Sequence, residues 1–305
     1  MSQSHIPALP ESVREHVFDR PAVKAFFDEP TNTVSYVVFD EDERVGAIID
    51  SVLDYDAASG RTSTASADEL IAFVKSSDLK IAHILETHVH ADHLSAAPYL
   101  KERLGGNLMI GTEIRTVQSV FGKIFNAGTE FQRDGSQFDQ LLGDGDTFRV
   151  GRFGGVAIHT PGHTPACMSY LIGDSLFVGD TIFMPDFGTA RCDFPGGDAA
   201  TLYRSIRRLF QLPAETRMFM CHDYKSPSRD TFSWETTIGE QRASNIHVHD
   251  GVSEDEFVAM RSERDATLAM PKLILPSVQV NMRAGNFPPP EDNGQRYLKI
   301  PLDML

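Results

Sequence analysis

The residues best equipped for chemistry form one short run, Thr87-His-Val-His-Ala-Asp-His93, with three histidines and an aspartate inside six positions. On a loop leaving a strand, His88 and His90 at i and i+2 project near one another, while Asp92 and His93 turn toward a second point. Imidazole nitrogens and a carboxylate are donors for one or two divalent metals. Three more donors stand apart along the chain. His163 lies in His159-Thr-Pro-Gly-His-Thr-Pro165, where glycine and prolines set a rigid turn. Asp180 closes the apolar run from Ser175, either as a helix cap or as a metal ligand, and His222 follows Arg-Met-Phe-Met-Cys.

Each of these positions needs a strand end to carry it. Ile81 to Leu85 reads as a short buried strand running into the histidine cluster, after a helix whose apolar face is Leu70, Ile71, Phe73 and Val74, capped by Ser66 or Asp68. Before it, strands over about 35–40 and 45–50 flank an acidic turn. After it come a helix stopped at Gly105-Gly106, a short strand Asn107–Gly111, and a looser stretch over 115–140, helical at first and then loop. Turn-punctuated strands resume from Asp146, and a helix capped by Asp198 precedes the last strand at 217–221. The domain reading is an N-terminal arm over 1–30, a catalytic unit over 31–285 and a C-terminal tail over 286–305. The proline-rich tail offers cover for its own domain or for the partner in a homodimer.

The 305 residues carry 28 Lys+Arg against 43 Asp+Glu, a formal charge of −15 with a sequence pI near 5.1. That balance argues against gripping nucleic acid or an anionic membrane, both of which need a basic surface. No apolar run approaches the ~20 residues of a membrane span. Three scattered cysteines make no disulfide framework, and the start of the chain has no basic-then-apolar signal pattern, so a cytoplasmic protein is expected.

The series Thr-His-x-His-x-Asp-His, Pro-Gly-His-Thr-Pro, Phe-Val-Gly-Asp and Cys-His-Asp-Tyr, in that order, resembles the metallo-β-lactamase superfamily. Within it the chain resembles the persulfide dioxygenases and, more distantly, glyoxalase II. The resemblance implies an α/β fold, a four-layer αββα sandwich with a metal site at the edge of the two sheets. In hydrolytic members the matching residues hold up to two metals: His88, His90 and His163 at one site, Asp92, His93 and His222 at the other, and Asp180 between them. In persulfide dioxygenases a single iron is held by the positions matching His88, His163 and Asp180, with His90, Asp92, His93 and His222 supporting them.

The segment Gly188-Thr-Ala-Arg-Cys-Asp-Phe194 also resembles the dioxygenase branch. It implies Arg191 as a partner for a glutathione carboxylate, the alternative being a structural pair with Asp193. Tyr224 inherits a role in binding glutathione. The implied chemistry is oxidation of glutathione persulfide by O₂ to sulfite and glutathione with one Fe(II) per chain. The alternative is thioester hydrolysis with one or two Zn(II).

Other features read more plainly. Cys221 ends an apolar strand and is expected to be buried, and Cys192 sits in the substrate-side segment. His247 and His249 repeat the His-x-His spacing without a third donor nearby and are expected at the surface. Asp144-Gly-Asp146 is expected to be a hairpin turn, and Arg283 a structural arginine near the site.

Overall fold

A computed structural model describes residues 5–304. The first half of the chain lays down β1 (Ala22–Asp28), β2 (Thr33–Asp40), β3 (Val45–Ile49), β4 (Val52–Asp56), β5 (Arg61–Ser63), α1 (Ala65–Ser76), β6 (Lys80–Leu85), β7 (Leu94–Ser95), α2 (Ala97–Leu104), β8 (Asn107–Gly111), α3 (Ile114–Ile124) and β9 (Gln140–Leu142). The second half adds β10 (Thr147–Val150), β11 (Phe153–His159), β12 (Met168–Ile172), β13 (Ser175–Phe177), α4 (Ala199–Leu209), β14 (Arg217–Phe219), β15 (Glu235–Thr237), α5 (Ile238–Ser244), α6 (Glu254–Asp265) and α7 (Ile274–Asn281).

These strands form two six-stranded sheets, ordered β1-β2-β3-β6-β8-β9 and β10-β11-β12-β13-β14-β15, and a small sheet β5-β4-β7. Side chains alternate across a strand, so each sheet buries one face against the other and one against helices. Tyr36 and Val38 of β2 meet Tyr170, Phe177 and Phe219 between the sheets, while Val37 points outward to the core under α1. On the far side Leu202, Ile206 and Leu209 of α4 repeat at helical spacing and cover Leu171 and Leu176. The result is the expected αββα sandwich.

Several local expectations hold. Asp198 caps α4 by accepting from Thr201 N at 2.7 Å, and α2 stops at Gly105, whose φ of 74° favours glycine. Others are corrected. Neither Ser66 nor Asp68 caps α1: the cap residue is Thr64, and Ser66 instead bonds Asp54 at 2.6 Å. Residues 22–28, read as part of an arm, are β1, because Phe26 packs into the core beneath α1 and the strand pairs with β2 along its whole length. Residues 143–146 are no hairpin, since β9 and β10 belong to different sheets. Asp144 there accepts from His159 N and pairs with Arg208, which ties the crossover to α4. The preceding arm lies over the second sheet, with Ala8 O accepting from Arg208 Nε at 2.7 Å. The tail docks on α7 through Gln279 and Lys299. Among the described residues no helix is long and apolar enough to cross a membrane.

Candidate metal centre

The parallel register of β3 and β6 brings their C-terminal ends together, and the loop after β6 carries the histidine cluster. The turn between β11 and β12 presents His163, the end of β13 leads to Asp180, and the end of β14 leads to His222. Two glycines let these segments close. Gly162 has φ 140°, and a Cβ there would lie 2.3 Å from Leu202 Cα; Gly179 has φ 51°, and a Cβ there would lie 2.5 Å from Thr87 Oγ1.

All seven expected donors converge. Asp180 Oδ2 lies 3.8 Å from His88 Nε2 and 3.7 Å from His163 Nε2. Asp180 Oδ1 lies 3.2 Å from His222 Nε2, which also lies 3.1 Å from Asp92 Oδ2. His93 stands beside Asp92 at 3.4 Å, and the His90 ring is 4.1 Å from that of His88 and 4.2 Å from that of His93. His88, His163 and Asp180 offer one compact set, and His90, Asp92 and His93 another.

Hydrogen bonds select which nitrogen of each ring faces the centre. His163 Nδ1 donates to Arg191 O at 2.8 Å, and His222 Nδ1 donates to Asn32 O at 3.2 Å. Thr87 Oγ1 gives its proton to Asp50 and so accepts from His88 Nδ1 at 3.0 Å. His90 is reversed: its Nε2 donates to Asp50 Oδ1 at 3.0 Å, leaving Nδ1 inward. The inward atoms His88 Nε2, His90 Nδ1, Asp92 Oδ2, His93 Nε2, Asp180 Oδ1 and His222 Nε2 are all buried without a hydrogen-bond partner. So many orphaned buried donor atoms aimed at one point are costly unless a cation satisfies them, and the donor set fits one.

The crowded donors also shift one another's titration. Burial, and then the neighbouring His90 and His163, hold His88 well below the usual histidine range. Burial opposes the charge on Asp92 as well, but His222 and His93 beside it more than compensate and hold the carboxyl well below its usual range.

Three supporting residues were not singled out from the sequence. Asp50, at the end of β3 with φ 50°, accepts from Thr87 N at 2.7 Å, Thr87 Oγ1 at 2.8 Å and His90 Nε2 at 3.0 Å. Glu86 Oε2 lies 3.4 Å from the same His90 nitrogen. Asn281 of α7 donates to the carbonyls of His90 and His93 at 2.9 and 2.8 Å, pinning the loop from behind. Asp50 did carry a readable signal, because Val-Gly-Ala-Ile-Ile-Asp ends an apolar strand in a carboxylate as Asp180 does.

The donors open into a cleft of about 640 Å³ lined by Phe183, Phe187, Phe194 and Tyr224 among others. Tyr224 is 42% exposed at its wall, with its ring 5.8 Å from that of His222. Arg191 is not a free guanidinium: Asp193 takes it bidentately at 2.6 Å on both bonds, and Ala269 O takes Nη1 at 2.7 Å. Three other cations line the cleft: Arg264 and Lys272, both exposed, and Arg261, which is buried.

His247 is corrected from surface to interior, being 8% exposed with Nδ1 accepting from Thr189 N at 3.0 Å. Burial holds its pKa down at about 4. His249 is half-buried and bonds the carbonyl of Asp250. The three thiols are free and buried, and burial pushes Cys221 and Cys192 well above the usual range. Arg283 lies over Phe131 at 4.1 Å, away from the donors and outside the cleft lining.

Residues 28–222 match the family model of the metallo-β-lactamase superfamily. A probable metallo-hydrolase of Burkholderia pseudomallei is 59% identical over 293 residues, 93% of this chain and 99% of that protein. A Dictyostelium discoideum protein named glyoxylase B2 is 50% identical over 289 residues, 94% of this chain and 99% of that one. The mitochondrial persulfide dioxygenase ETHE1 of Mus musculus is 30% identical over 271 residues, covering 88% and 90%. The crystal structure of ETHE1 from Myxococcus xanthus is similar at a TM-score of 0.69 and 31% identity, over 87% of this chain and all of that one. The chain therefore belongs to the metallo-β-lactamase superfamily, with persulfide dioxygenases among its relatives.

Proposed function

We propose that the protein is an iron-dependent persulfide dioxygenase acting on a glutathione-type persulfide. The observation that carries this reading is the compact face made by His88 Nε2, His163 Nε2 and Asp180 Oδ2, two imidazoles and one carboxylate turned toward an aromatic-walled cleft. In the reaction four electrons pass from the S–S–H unit to O₂, the S–S bond breaks, one water supplies the third sulfite oxygen, and the thiol and two protons leave. Fe(II) would be held by His88, His163 and Asp180 and would supply the electron exchange that lets O₂ meet a closed-shell substrate.

The chain's own residues do the rest. Thr87 and the Arg191 carbonyl keep His88 and His163 in the tautomers that leave Nε2 free. Phe183, Phe187 and Phe194 keep bulk water from the sulfur, and His222 with Asp92 holds a water or proton opposite the substrate. Arg264 and Lys272 draw in an anionic thiol carrier against the net charge of −15, and Tyr224 lies along the carrier's backbone.

A second reading, hydrolysis of a glutathione thioester by two zinc ions, is favoured by the completeness of Asp92, His93 and His222 beside Asp180. Anaerobic purification with metal analysis, followed by O₂ uptake on glutathione persulfide and hydrolysis of S-lactoylglutathione, tests both. About one iron per chain with persulfide-dependent O₂ uptake supports the dioxygenase. About two zincs per chain with thioester hydrolysis and no O₂ uptake overturns it.

A further inference from the structure

Residues 189–192 form a strap along the cleft, regular only in the bridge between Thr189 and Ile182. The strap carries the Arg191 carbonyl to which His163 Nδ1 donates. On either side of Arg191 it is gripped by three buried side chains. Thr189 N donates to His247 Nδ1 at 3.0 Å, and Thr189 O accepts from Arg261 Nη1 at 3.1 Å. Cys192 N donates to Asp265 Oδ2 at 2.8 Å. Arg261 and Asp265 stand one turn apart on α6 and join through Asp265 Oδ1 at 2.8 and 2.6 Å.

Arg261 is 1% exposed and Asp265 7%. An ion pair buried that deeply gains little net stability, because desolvation offsets most of the attraction. Its directed hydrogen bonds nonetheless specify one position of the strap. The Arg191 side chain is turned away to Asp193 and Ala269, so its carbonyl is the part that serves the histidine.

We infer that Arg261, Asp265 and His247 are positioning residues for His163, setting the Arg191 carbonyl so that the ring keeps its proton on Nδ1 and turns Nε2 to Asp180. This rests on His163 being a metal ligand, which the iron and zinc readings share. Loss of the clamp lets the strap shift and the ring rotate, weakening metal binding about tenfold to hundredfold with every ligand intact.

The test uses the full chain as Asp265→Asn, His247→Ala, His247→Gln and a control, Asp144→Asn. The control breaks the pair between Asp144 and Arg208, whose other bonds go to the carbonyls of Ala8 and His159. Thermal midpoint, the ¹⁵N resonances of the His163 imidazole in metal-free protein, and Fe(II) affinity by chelator competition are measured on each. Asp265→Asn and His247→Ala are expected to move the His163 resonances and weaken Fe(II) about tenfold or more. His247→Gln, whose Oε1 can accept from Thr189 N, restores both, and Asp144→Asn lowers the midpoint without either change. Should Asp265→Asn fail to fold, the two His247 variants carry the same comparison. The clamp is refuted if the variants that fold lose stability as the control does while the His163 resonances stay where they are. If the unaltered protein binds neither iron nor zinc, the functional reading falls, and the metal-free resonances still decide the clamp.

Discussion

The two halves of the donor set are held in different ways. The loop over 87–93 packs four donors into one turn of chain on the first sheet and is supported by side chains: Asp50 and Glu86 at His90, Asn281 at the loop carbonyls. The second sheet delivers His163, Asp180 and His222 singly from three strand ends, and its two histidines lean on main-chain carbonyls, Arg191 O and Asn32 O. Side-chain support is removed by one substitution. Carbonyl support is lost only when the segment bearing it moves, so the second half depends on packing some distance away.

The largest effect is expected where the halves meet. Asp180→Ala removes the carboxylate that faces His88, His163 and His222 together, and bound metal should fall to background by elemental analysis, with O₂ uptake lost. Full metal content in that variant would break the picture of two halves joined at Asp180.

Asp50→Asn probes side-chain support alone. It removes the charged acceptor that aligns Thr87 and His90, so metal affinity should drop about tenfold to hundredfold, while the His163 resonances in the metal-free protein stay unchanged. A shift at His163 would mean the halves are coupled more tightly than their separate supports imply.

A smaller effect reports on the packing behind the second half. His247 has a folded pKa of about 4 against an ordinary 6.5. Between those values the unfolded chain binds the extra proton, so the stabilisation is complete above pH 6.5, declines as the pH falls toward 4, and levels off below. The loss amounts to ~3 kcal/mol at most. Urea unfolding of metal-free protein at pH 7 and pH 5 measures it, and His247→Gln should remove this part of the slope. An unchanged slope would show that His247 does not stay neutral in the fold.

The smallest effect belongs to the cleft mouth. Replacing Arg264 and Lys272 together by Ala should raise KM for an anionic persulfide several-fold, leave kcat unchanged and flatten the salt dependence, because exposed charges act mainly on encounter. A fall in kcat instead would place these cations nearer the reacting sulfur than the rim.

How legible each part was in the chain follows from the range of the interactions involved. The histidine run, the turn at His163 and the carboxylate closing an apolar strand at Asp180 are local patterns, and each was read where it stands. The strands and helices follow from local periodicity, except β1, whereas the αββα layering came from the family resemblance. Asp50 shared the strand-end signal of Asp180 but acquired meaning only when β3 lay beside β6. His247 looked like a surface histidine because nothing near it in sequence shows that Thr189 will need an acceptor. Arg191 was open between a ligand and a partner for Asp193 until the backbone turned both side chains the same way.

By itself the amino-acid sequence determined the donor types, their strand-end placement and the acidic exterior, since these rest on side-chain chemistry and on periods of two and 3.6 residues. Only the tertiary structure decided which nitrogen of each histidine faces the centre, which cations remain free at the cleft, and what holds the strap behind His163. Most of those depend on hydrogen bonds between groups far apart in the chain, 28 positions for His163 with Arg191 and 191 for Asn281 with His90, which no short-range pattern encodes.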